Sequence, residues 1–72
     1  MVKAARQVEA IEFLIARGED EEEDGETKAI WRARLEHKTE SAAYLAKLLG
    51  VSKSKVIRRL EKAREKATQK GM

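Results

Sequence analysis

Lys53, Ser54, Lys55, Arg58, Arg59 and Lys62 crowd into residues 53–62, directly behind Leu49-Gly50-Val51-Ser52. These residue types make no activated nucleophile, paired general acid and base, or metal cage. They are mostly cationic hydrogen-bond donors, and their chemistry is recognition of a polyanion. An Arg or Lys side chain pairs with guanine O6 and N7, and a Ser hydroxyl is permissive. Lys53, Ser54, Lys55 and Arg58 are therefore candidate readers of base edges. Arg59 and Lys62, with Lys47, Ser41 and Tyr44 upstream, are candidates for phosphate contacts, which add salt-sensitive affinity without sequence information. Ser52 is a further phosphate candidate, because a helix start offers free backbone N–H groups.

Two helices must hold these side chains. Ser41 is an N-cap for a helix over 42–49, whose buried side is Leu45, Ala46, Leu48 and Leu49. Gly50 supplies the positive φ of a tight turn, Val51 plugs it, and Ser52 caps the next helix, over about 53–67. Val56, Leu60, Ala63 and Ala67 repeat at helical spacing there, and Ile57 widens the stripe. The whole unit, 41–67, has the outline of a helix-turn-helix, in which the second helix enters the major groove of DNA.

The run SAAYLAKLLGVSKSKVIRRLEKAREK resembles helix-turn-helix DNA-binding domains, and is closest in pattern to region 4 of bacterial sigma factors. The matching elements are the capping Ser41, Leu45-Ala46, Leu49-Gly50-Val51-Ser52, Val56, Arg59-Leu60 and Ala63-Arg64. Arg59 departs from the apolar residue that many repressors carry there, and Leu60 takes over its packing. The resemblance implies binding to promoter or operator DNA by a small stand-alone regulator. At 72 residues, the other regions of a sigma factor are not expected.

Charge along the chain is badly mixed. The 72 residues carry a net +3, but residues 1–17 hold +1, residues 18–27 hold −7 and residues 28–72 hold +9. The acidic stretch GEDEEEDGET contains nothing apolar, so repulsion should keep it extended or mobile. It reads either as a solvated connector or as an acidic surface that contacts a basic partner or repels DNA from one face. On either side of it, residues 1–17 form a first helix and residues 28–38 a second, capped by Thr27. Trp31 in the second helix is a core anchor rather than a base-stacking platform. His37 is the only histidine and there is no cysteine, so no metal site is expected.

The expected fold is therefore all-α: one small domain over 1–72, four helices, a C-terminal helix-turn-helix and no wing. A core of this size is marginal alone, and without Cys no disulfide can reinforce it. A homodimer is the expected remedy, with Val8, Ile11, Phe13, Leu14 and Ile15 of the first helix as its seam. It would also place two reading helices on a palindromic site. No apolar run approaches the roughly 20 residues of a membrane span, and the N-terminus lacks a signal-peptide core, so a cytoplasmic protein is expected. Abundant Lys, Arg and Glu without Cys or Asn resemble thermophile composition. Nothing calls for a cofactor, a small-molecule ligand or an enzymatic activity. The alternative reading is an adaptor or antitoxin-like module that binds a protein through its helix-turn-helix and acidic stretch.

Overall fold

Three of the four α-helices among the described residues begin at a short oxygen-bearing side chain, and those caps set the frame. The structure, a computed structural model, describes residues 6–72. Helix α1 spans Gln7–Ala16, α2 Gly25–Glu36, α3 Ala42–Leu49 and α4 Lys53–Gln69, with a 3-10 turn at Glu19–Glu22. The fold is a small all-α domain, as expected, and no strand occurs among the described residues. Residues 1–5 of the expected first helix lie outside the described part.

Helix α2 starts three residues earlier than the sequence suggests. Its cap is Asp24, not Thr27. The Asp24 carboxylate accepts from the Thr27 N–H at 2.7 Å, and Thr27 is buried in the first turn. Ser41 accepts from the Tyr44 N–H at 3.2 Å, and Ser52 from the Lys55 N–H at 3.1 Å, as expected for caps. Gly50 takes φ 70°, the left-handed conformation that lets α4 leave α3 within three residues.

Helix α4 is the spine, packed against α1, α2 and α3. Val56, Leu60, Ala63 and Ala67 are buried along it and meet Ile11, Leu14, Ile30, Trp31 and Leu45 in one core. Each large aliphatic side chain buried this way contributes about 1.5–3 kcal/mol. The Trp31 ring is fully buried, and its Nε1–H donates to the Arg59 carbonyl at 2.9 Å, tying α2 to α4. The core-anchor reading of Trp31 holds.

Two apolar expectations are corrected. Leu48 is 53% exposed and Ile57 is 42% exposed, so neither belongs to the core. In both helices the core stripe is narrower than the run of apolar residues. A third correction concerns the dimer seam. Ile11 and Leu14 are fully buried inside the single chain and cannot also face a second copy. Val8, Phe13 and Ile15 are half-buried, with the Phe13 and Ile15 side chains packed on the core edge. The Arg17 guanidinium lies over the Phe13 ring at 5.3 Å.

Candidate nucleic-acid interface

The helical repeat divides the cations of α4 into two stripes. Lys55, Arg59, Lys62 and Lys66 recur at i, i+4, i+7 and i+11 and share one face. That face is covered by acids. Glu26 takes Lys55 at 3.2 Å and Arg59 at 3.4 Å. Glu23 takes both Lys62 and Lys66 at 2.6 Å. The stretch 18–27 is thus neither extended nor a solvated connector, which corrects the expectation drawn from its charge. Attraction to the basic helix outweighs repulsion among the carboxylates. A further anchor is Asp20, a buried acid whose carboxylate accepts from Arg32 at 2.9 Å.

Burial gives this pairing its weight. The Glu23 side chain is 6% exposed and that of Lys66 15%, so solvent screens them weakly. Burial pushes the Glu23 carboxyl up, but hydrogen bonds from Lys62 and Lys66 and their charges together outweigh it, and its pKa lies below the ordinary 4.5. The hydrogen bond to Glu23 raises Lys66 above its ordinary 10.5. Stability from Glu23 is therefore complete above the ordinary carboxylate pKa and is lost as pH falls through the lowered value. Stability from Lys66 is complete below 10.5 and is lost as pH rises through the raised value. Denaturant titrations followed by Trp31 fluorescence should show wild type weakening on acidification, and Glu23→Gln should flatten that slope. An unchanged acid slope in the variant would remove Glu23 from the account.

The second stripe is different. Lys53, Ser54, Ile57 and Arg58 are all exposed on the first turns of α4. Lys53 and Arg58 form no ion pair among the described residues. Further along the same side come Glu61 and Glu65, so this face is basic only at its N-terminal end. On α3, Lys47 is likewise exposed and unpaired among the described residues, and Tyr44 meets His37 edge-on with ring centroids 5.3 Å apart. The hydroxyls of Ser41 and Ser52 serve as helix caps, and each retains its own hydrogen to donate.

The expected site residues thus fall into two groups. Lys53, Ser54, Arg58, Lys47, Ser41, Ser52 and Tyr44 are accessible on α3, on the turn and at the start of α4. Lys55, Arg59 and Lys62 are tied to the chain's own carboxylates. Periodicity would have placed Lys55, Arg59, Lys62 and Lys66 on one face, but only the fold brings Glu23 and Glu26 to it.

Arg34 went unnoticed in the sequence. It is 7% exposed, and its Nη1 donates to the carbonyls of His37 at 3.3 Å and Glu40 at 2.6 Å. It holds the link that delivers α3. No group of His, Asp or Glu fit to hold a metal occurs among the described residues. No helix among them is long and apolar enough to cross a membrane. Comparison with protein-family models, with curated proteins and with solved structures gave no match.

Proposed function

We propose that the chain binds double-stranded DNA through the exposed first turns of α4, as a small cytoplasmic transcriptional regulator. One observation carries this reading. Lys53, Ser54 and Arg58 stand exposed behind a glycine turn and a serine cap, and neither cation has an intramolecular carboxylate among the described residues. A helix presented this way suits the major groove, with its N-terminal residues toward the base edges. Lys47, Ser41, Tyr44 and the N–H groups behind Ser52 would hold phosphates. A second copy on an adjacent half-site would supply specificity. Its seam would have to use surface other than Ile11 and Leu14.

Exposed Leu48 and Ile57 favour one alternative, a protein partner docked on the same two helices. Fluorescence anisotropy with labelled duplex separates the two. Wild type should bind at low salt and lose affinity steeply as salt rises, whereas Lys53→Ala/Arg58→Ala should bind at least roughly tenfold more weakly. A wild type that ignores duplex at low salt would leave the protein-partner reading in its place.

A further inference from the structure

Every exposed side chain of α4 is polar or charged except that of Ile57. It is 42% exposed and lies outside the core. A lone exposed apolar side chain is ordinary on a protein surface, so exposure by itself means little here. What marks Ile57 is its place.

Helical spacing puts Lys53 four residues before it and Ser54 three residues before it, so both share its face. Arg58 stands next to it, one turn beyond Ser54. Lys53 and Arg58 form no ion pair among the described residues, whereas Glu23 and Glu26 take the cations of the other stripe. The charge of this face is therefore free for an anionic ligand, and Ile57 sits within it. One ligand must then bring negative charge or acceptors to Lys53 and Arg58 and an apolar group to Ile57. A phosphate backbone alone meets only the first demand, because its oxygens gain nothing from an alkyl side chain. The major groove meets both. Guanine O6 and N7 accept from Lys or Arg, and thymine presents its C5 methyl group.

We infer that Ile57 reads thymine through that methyl group. This rests on the proposed binding of DNA by α4 and adds to it the base that the apolar position selects. The other three bases carry no methyl group in the groove, so thymine alone rewards an isoleucine there. The four residues from Ser54 to Arg58 span about 6 Å of helix, or roughly two base-pair steps of about 3.4 Å. The selected thymine therefore lies within about two base pairs of a guanine held by Lys53 or Arg58.

Uracil is thymine without the methyl group, and this gives the test. A randomised duplex library is enriched on wild type, and the enriched pool is then copied with dUTP in place of dTTP. Fluorescence anisotropy at one salt concentration compares the two pools for wild type, Ile57→Val and Ile57→Ala. Wild type should bind the thymine pool about fourfold more tightly for each methyl group buried. Ile57→Val keeps a branched apolar side chain and should keep most of that ratio. Ile57→Ala should bring the ratio to about one, with circular dichroism confirming α4, since alanine is the best helix former. The inference is overturned if wild type binds both pools alike, or if Ile57→Ala retains the wild-type ratio; DNA binding itself stands in either case. If wild type enriches no duplex at low salt, the DNA reading fails and the thymine reading falls with it.

Discussion

Replacing Trp31 with alanine should lower the melting temperature by roughly 15–30 °C, or leave the chain unfolded at room temperature. Truncating a buried Trp costs about 3–5 kcal/mol. A domain of this length has only about 4–11 kcal/mol in total, from roughly 0.05–0.15 kcal/mol per residue. The loss is more than a cavity. The indole N–H holds the Arg59 carbonyl at 2.9 Å, and its removal frees α2 from α4. Trp31→Phe keeps much of the ring and loses that hydrogen bond, so it should fall between wild type and Trp31→Ala. Thermal melts by circular dichroism measure both. A Trp31→Ala melt within a few degrees of wild type would mean that the ring is not an anchor, since surface substitutions usually change stability by about 0.5 kcal/mol or less.

Glu23→Gln/Glu26→Gln should bind duplex DNA more tightly than wild type and with a steeper dependence on salt. In the native chain these two carboxylates hold Lys55, Arg59, Lys62 and Lys66. Neutralising them releases the cations to phosphate. Each phosphate newly neutralised adds about 0.9 to the slope of log affinity against log salt, so two new contacts steepen it by about 1.8. Low-salt affinity should rise roughly tenfold. Anisotropy over a salt series gives both numbers, with circular dichroism confirming the helical fold. An unchanged slope would mean that the covered stripe never reaches DNA, and that Lys53 and Arg58 act without it. Under the proposed function, a steeper slope in the variant would make the acidic stretch the chain's own competitor for its basic helix.

Much of this arrangement was legible beforehand. The α3–turn–α4 unit could be read almost to the residue, because Ser41, Gly50 and Ser52 are local signals that act within one helical turn. Burial of Val56, Leu60, Ala63 and Ala67 followed from spacing alone. Expectations failed where the deciding partner was far along the chain. Leu48 and Ile57 are apolar at plausible positions, yet nothing packs over them. A core this small favours a second copy over the apolar side of the first helix, but Ile11 and Leu14 are buried within the chain, where α1 packs on α4.

The sequence by itself determined the helical class, the caps of α3 and α4, the turn between them and the basic character of α4, since each depends on residues within about four positions of one another. Only the tertiary structure decided which cations remain available. Glu26 lies 29 residues from Lys55, and Glu23 lies 43 from Lys66. Charge composition records that such groups exist, but attraction between them is strong only at contact distance in a poorly screened site, and the packing of α2 against α4 creates that site.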